Sequence, residues 1–252
     1  MIDIKGLTVR FAGLTAVNDL TMAVPDGTWI GIIGPNGAGK STVLNAISGT
    51  VQASAGSISK DGADIHSLSA YRRSRMGLGR TFQRTSLVPD LTVLENAMLG
   101  LYDYRRFGFG RAVLRPRKDR TAEEAVRHRC QMTLELFGMG DKAQRPAGSL
   151  GYAEQKMADL ARAFVGESDT LLLDEPAAGM STDERRHLVE QLATVVTERG
   201  RSGIIVEHDM EVIRSVASHV VVMATGAKFA EGETAEVLGR ADVRRLYLGE
   251  QA

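Results

Sequence analysis

The sequence predicts an α/β fold: a mainly parallel sheet, an antiparallel β-subdomain at the N-terminus, and an inserted helical subdomain. Three observations carry this reading. Short apolar runs at 28–33, 170–173, 203–206 and 220–223 alternate with helical stretches, the pattern of a sheet covered on both faces. Residues 1–31 read as β-type runs split by turn residues. Residues 88–165 carry helical periodicity instead.

Taken in order, the first runs lie at 7–11, 20–24 and 28–33, punctuated by Gly13 and by Pro25-Asp26-Gly27. The third leads into a glycine-rich turn, after which a helix opens near Lys40. Val43, Leu44 and Ile47 share one side of it, and Gly49 stops it. A hairpin over 56–60 turns at Asp61-Gly62. Within the inserted block, 105–120 holds seven basic residues and one acid, broken by Gly108, Gly110 and Pro116. A solvated insert is favoured there over contact with anionic lipid, a membrane partner or nucleic acid. Helices are predicted over 122–137 and 153–164, the second placing Met157, Leu160, Ala161 and Phe164 on one face. A further helix over 182–199 turns Leu188, Leu192, Val195 and Val196 inward. One domain over 1–252 is expected, its core about 1–87 and 166–252 and its helical subdomain about 88–165.

Composition bounds the function. The 252 residues are 43% hydrophobic and 25% charged with zero formal net charge, so no global field points to nucleic acid. Cys130 is the only cysteine, which excludes an internal disulfide and a cysteine-built metal site and fits a reducing compartment. The N-terminus has no signal-like apolar stretch, and no apolar run is long enough to cross a bilayer. Any role at a membrane is therefore expected from the cytoplasmic side, through partners.

Gly34-Pro35-Asn36-Gly37-Ala38-Gly39-Lys40-Ser41 satisfies the phosphate-binding P-loop pattern in full and lies between a predicted strand and a predicted helix. Its glycines let backbone N–H groups turn toward a phosphate, and the helix N-terminus adds a favourable field. Lys40 should reach the β- and γ-phosphates of ATP, and the Ser41 hydroxyl should bind Mg²⁺. Thr170-Leu171-Leu172-Leu173-Asp174-Glu175 complements it. An apolar strand ending in Asp174 delivers a carboxylate to the Mg²⁺ shell, and Glu175 can orient or deprotonate an attacking water. The core is thus expected to be a P-loop NTPase.

The motifs then resemble one family along nearly the whole chain. Gly34-Pro35-Asn36-Gly37-Ala38-Gly39-Lys40-Ser41-Thr42, Asp174-Glu175-Pro176 and Glu207-His208-Asp209 resemble the Walker A, Walker B and switch-histidine motifs of ATP-binding-cassette (ABC) transporters. Arg80-Thr81-Phe82-Gln83, Leu91-Thr92-Val93-Leu94-Glu95-Asn96, Glu207-His208-Asp209-Met210 and Tyr247-Leu248-Gly249-Glu250 are similar to the ATPase subunits of branched-chain amino-acid importers. The resemblance implies that Phe11 stacks on adenine and that Gln83 joins the nucleotide and metal site to the helical lobe and the transmembrane partner. It also implies that His208 contacts the γ-phosphate. The implied partners are transmembrane permease subunits, a second ATPase subunit and, indirectly, an extracytoplasmic solute-binding protein. The implied location is the cytoplasmic face of the membrane. Related importers carry urea, amides or other small solutes.

One motif departs from the family. Where the subfamily has Leu-Ser-Tyr-Gly-Glu-Gln, this chain has Leu150-Gly151-Tyr152-Ala153-Glu154-Gln155. In the family this signature closes over the γ-phosphate held by a second cassette. Gly151 supplies no hydroxyl, and Ala153 adds a methyl where close approach is needed. A lost hydrogen bond to a charged group costs roughly 1.5–3 kcal/mol. Ser149 could substitute only through a shift of register. The departure predicts an asymmetric heterodimer, with a homodimer or a weakly hydrolysing ATP-binding switch as the alternatives.

Overall fold

A computed structural model describes residues 1–81, 85–101, 117–166 and 168–248. Gln83, most of the basic stretch 105–120 and Gly249-Glu250 lie outside the described residues, as does the side-chain orientation expected of Val195. The chain divides into two compact units. The first comprises Met1–Arg80, Asp169–Ala177 and Leu192–Ala252; the second comprises Thr81–Ser168 and Ala178–Gln191.

In the first unit, β1 (Ile2–Phe11) pairs antiparallel with β2 (Leu14–Val24) and with β4 (Ala55–Lys60), and β5 (Ala63–Asp64) completes the order β2-β1-β4-β5. The two N-terminal strands are longer than the apolar runs at 7–11 and 20–24 suggested. Of the added residues only Ile2, Ile4 and Val17 are buried, so these halves show no continuous apolar stretch. The turn at Asp61-Gly62 has φ of 52° and 79°, the left-handed pair that a tight hairpin requires.

The second sheet of this unit has the order β10-β9-β3-β8-β7-β6 among the described residues. Its strands are β3 (Trp29–Ile33), β6 (Leu78–Arg80), β7 (Thr170–Asp174), β8 (Ser202–Val206), β9 (His219–Ala224) and β10 (Ala227–Glu233). Five are mutually parallel, and β10 returns antiparallel on β9 at one edge. Every residue of β3, β7 and β8 is buried, as expected of central parallel strands. Helix α1 (Lys40–Ser48) follows β3, buries Val43, Leu44 and Ile47, and ends at Gly49, whose φ of 79° closes it. Those residues join Ile4, Leu20, Ile58, Leu172 and Val206 in one apolar core. Helix α2 (Ala70–Arg75) precedes β6, and short helices α7 (Met210–Val216), α8 (Thr234–Gly239) and α9 (Ala241–Leu248) complete the unit.

The second unit is helical. α3 (Val93–Leu99) starts at a reciprocal cap in which Thr92 and Glu95 satisfy each other's backbone amides. α4 (Arg117–Leu136) begins five residues before the start expected at 122, because its first turn is charged and carries no apolar stripe. α5 (Tyr152–Val165) buries Met157, Leu160, Ala161 and Phe164 together. Phe137 and Phe164 set their rings 5.2 Å apart at 52°, anchoring the unit's core. Helix α6 (Thr182–Arg199) starts in this unit and continues into the first from Leu192; Leu188 and Leu192 are completely buried, while Val196 is half-buried. Among the described residues no helix is long and apolar enough to cross a membrane.

Candidate nucleotide site

Parallel strands leave their carboxyl ends on one sheet edge, where open α/β folds bind ligands. The register sets Ile32 beside Val206 and Val206 beside Asp174. The segments that follow β3, β8 and β7 therefore emerge side by side. They are the P-loop, Glu207-His208 and Glu175-Pro176.

The P-loop conformation depends on two glycines that admit no side chain. Gly34 has φ 147°, and a Cβ there would lie 2.1 Å from the Met223 carbonyl oxygen. Gly39 caps α1 with φ 93°, and a Cβ there would lie 2.3 Å from the Ala16 carbonyl oxygen. Both positions combine a backbone shape that disfavours L side chains with contact against another strand. Lys40 is 6% exposed, and its ammonium donates to the carbonyls of Gly34 at 2.7 Å and Pro35 at 2.8 Å.

Asn36, Gly37, Ala38, Gly39, Lys40, Ser41 and Thr42 line an open cleft of about 550 Å³ together with Phe11, Leu14, Thr15, Ala16, Glu175, Thr225 and Gly226. Phe11 and Leu14 stand at the exposed tip of the β1–β2 hairpin, 44% and 68% accessible. An exposed aromatic beside a phosphate loop suits a flat base at one end and a polyphosphate at the other. Against β2, Thr225 and Gly226 form the β9–β10 turn with φ of 46° and 82°, and the Asn18 amide donates to the Gly226 carbonyl at 2.8 Å.

At the inner end the Ser41 hydroxyl donates to Asp174 Oδ1 at 3.1 Å. Burial pushes the Asp174 carboxyl above its ordinary range, while the Ser41 hydrogen bond and the charge of Arg80 pull it back down. The Arg80 guanidinium lies 3.5 Å from Asp174 Oδ2 and donates to the hydroxyls of Ser48 and Thr50 at 2.6 and 2.9 Å. Glu175, the first residue beyond β7, has φ 48°, and its amide donates to the Val206 carbonyl at 2.9 Å. Its Oε1 lies 2.8 Å from His208 Nε2. Ser41, Asp174, Glu175 and His208 thus meet at one edge, although 133 residues separate the first two in the chain.

Arg80 and Glu207 lie within the motifs that carry the resemblance, which implies no role for either. Arg80 ends a three-residue strand, and Glu207 is 3% exposed, accepting from the amides of Ala177 and His208. An acid after an apolar run was the only signal for Glu207. Thr225 had no signal beyond the Thr-Gly turn.

The altered signature lies in the second unit. Gly151 is the residue before α5 with φ −64° and ψ 162°, and its amide donates to Glu154 Oε2 at 3.0 Å. A Cβ at Gly151 would meet only Glu154 Oε2, at 3.8 Å. Ser149 is engaged in its own turn, its hydroxyl donating to the Pro146 carbonyl at 2.8 Å, and does not occupy the position of Gly151.

A glycine-rich loop, a strand-end carboxylate and a glutamate–histidine pair on one edge of a parallel sheet define an ATP-binding and ATP-hydrolysing cassette. Residues 17–178 match the ABC transporter family, and this chain belongs to it. It is 34% identical to the high-affinity branched-chain amino acid transport ATP-binding protein BraF of Pseudomonas aeruginosa, over 99% of this chain and 98% of that protein. It is 32% identical to the corresponding LivG of Escherichia coli K12, with the same coverage. Among solved structures, the ADP conformation of an ATP-binding cassette of an ABC transporter matches with a TM-score of 0.83 and 26% identity, covering 99% of this chain and 98% of that one.

Proposed function

We propose that this chain is the ATPase of an importer of branched-chain or other hydrophobic amino acids. It would act at the cytoplasmic face of the membrane with permease subunits and a second cassette. The observation that carries the hydrolytic part is the 2.8 Å Glu175–His208 pair beside Ser41 and Asp174. Glu175 orients and deprotonates the attacking water, and His208 holds Glu175 and faces the γ-phosphate. Lys40 and the amides of residues 34–42 bind the phosphates, and Phe11 stacks on the base. The 34% and 32% identical relatives named for branched-chain amino acid transport support the solute class.

The site suits Mg²⁺. A hydroxyl and a carboxylate 3.1 Å apart are hard oxygen donors. No group of three or more acid, His or Cys ligands occurs among the described residues, as fits an ion also held by phosphate oxygens and water. Ser41 and Asp174 would hold it, joined by Gln83 on the resemblance alone, and when bound it would offset phosphate charge. Residues about 88–165 would form the helical subdomain that passes cassette motion to the permease.

The signature turn supports an asymmetric heterodimer over a homodimer. Gly151 offers a partner's nucleotide a helix terminus without a hydroxyl, while this chain's own P-loop would be covered by a partner's unaltered signature. The test is Mg-ATP hydrolysis by the wild type and Glu175→Gln, each alone and with the ATPase encoded beside it. Turnover should be low alone and rise with the partner, and Glu175→Gln should lower it by roughly 10²–10⁴-fold. Tight ATP binding without turnover in either setting would replace this reading with that of a binding switch.

A further inference from the structure

Two loops must keep a fixed spacing for Glu175 to meet His208, and the sheet holds them only up to a point. The β7–β8 ladder pairs Asp174 with Val206, and its last rung is the Glu175 amide on the Val206 carbonyl at 2.9 Å. The ladder ends at that rung. Pro176 has no N–H, so Ala177 offers the first main-chain donor after Glu175. That donor points at Glu207 Oε1, 2.7 Å away. The other oxygen, Oε2, accepts from the His208 amide at 3.1 Å, and the Asp209 amide also donates to this carboxylate.

Glu207 is 3% exposed, and its burial opposes ionisation. Burial first, and the nearby Glu175 charge as well, hold the carboxyl above its ordinary value, and three backbone donors offset part of that cost, since amides converging on one carboxylate form strong, charge-assisted hydrogen bonds. Only a carboxylate presents two acceptors that can face two segments at once. Glu175 meanwhile sits at φ 48°, a backbone shape that persists in a residue with a side chain when its surroundings over-determine it. The contacts on either side of that residue are the Val206 rung and the Glu207–Ala177 bond.

We infer that Glu207 is a positioning residue for ATP hydrolysis. Its carboxylate clamps the segment after Glu175 to the segment bearing His208, which fixes the Glu175–His208 contact. This rests on the reading of Glu175 and His208 given above. Glu207→Gln keeps the shape but turns an NH₂ toward one of the amides, so a donor faces a donor and one side of the clamp opens.

The test combines kinetics with amide hydrogen exchange on the full chain. Glu207→Gln should lower kcat roughly ten- to hundredfold while the Kd for Mg-ATP moves less than about threefold, the split expected when geometry rather than binding is lost. Exchange at Ala177 and His208 should rise about tenfold or more, with amides in β3 unchanged. Should that variant not fold, Glu207→Asp keeps the charge and, one methylene short, reaches only one segment, so the same pattern is expected of it. An unchanged kcat, or kcat and affinity falling in proportion, overturns the inference. If wild type shows no turnover either alone or with a second cassette, the hydrolysis reading has failed. Exchange then decides alone, and unaltered protection at Ala177 and His208 overturns the clamp.

Discussion

Helices α1 and α5 each follow a capping glycine, and the two glycines are there for opposite reasons. Gly39, before α1, has φ 93° and a would-be Cβ 2.3 Å from the Ala16 carbonyl. Gly151, before α5, has φ −64° and ψ 162°, a conformation open to any residue, with nothing nearer than Glu154 Oε2 at 3.8 Å. The first is demanded by its backbone and its neighbours. The second is demanded by nothing in its own unit, so the absence of a hydroxyl there is a property of the surface that the helix terminus presents.

The comparison breaks most sharply under a methyl group. Gly39→Ala combines left-handed strain of about 1–3 kcal/mol with a collision against backbone, and a total loss of roughly 3 kcal/mol or more is expected. Gly151→Ala replaces a tolerated cap by a poor one and should cost only about 0.5–1 kcal/mol. Denaturant unfolding of both variants gives the contrast directly, and ATP affinity should fall only for Gly39→Ala. Similar losses at the two positions would mean that Gly151 is also a conformational requirement.

The next effect is on turnover. Gly151→Ser places a hydroxyl where the local geometry has room, and Ala153→Gly removes the methyl one residue into α5. In the assembled complex the double variant should raise ATP turnover roughly tenfold, about the worth of one hydrogen bond to a charged group. Gly151→Ser alone should move stability by only a few tenths of a kcal/mol, the difference between Gly and Ser as caps, and Ala153→Gly inside α5 should cost up to about 1 kcal/mol more. Unchanged turnover would remove the main support for the asymmetric heterodimer.

The same contrast shows what sequence could and could not reveal. The central strands β3, β7 and β8 were legible because they are buried on both faces and read as unbroken apolar runs. The P-loop was legible because its glycines are separated by the spacing that its chemistry needs. β6 and β10 were not. One has three residues including Gly79, and the other is an edge strand whose residues are mostly exposed or half-buried. α2 and α7 are too short for a periodic stripe to show. Within the site, the placing of Ser41 and Asp174 followed from their motifs. The place of Glu207 followed from a register between β7 and β8 that no local pattern encodes.

The smallest expected effect concerns what caps α5 in place of a side chain at Gly151. Glu154 Oε2 accepts from the Gly151 amide at 3.0 Å, and its Oε1 lies 3.1 Å from Lys142. The Gly151 amide first, and Lys142 next, hold the Glu154 carboxyl below its ordinary value. A carboxyl depressed in the folded state stabilises that state while it is ionised. Its contribution is therefore complete above the unfolded value near 4.5 and is lost as pH falls through the lower folded value. The stability gap between wild type and Glu154→Gln should accordingly be constant at neutral pH and close on acidification. Gly151→Ser would complete a reciprocal cap, its hydroxyl accepting from the Glu154 amide while Glu154 accepts from the amide of residue 151, so the cost of Glu154→Gln should grow in that background. An unchanged cost would show that the serine hydroxyl points away from α5 and is left to the nucleotide of the facing cassette.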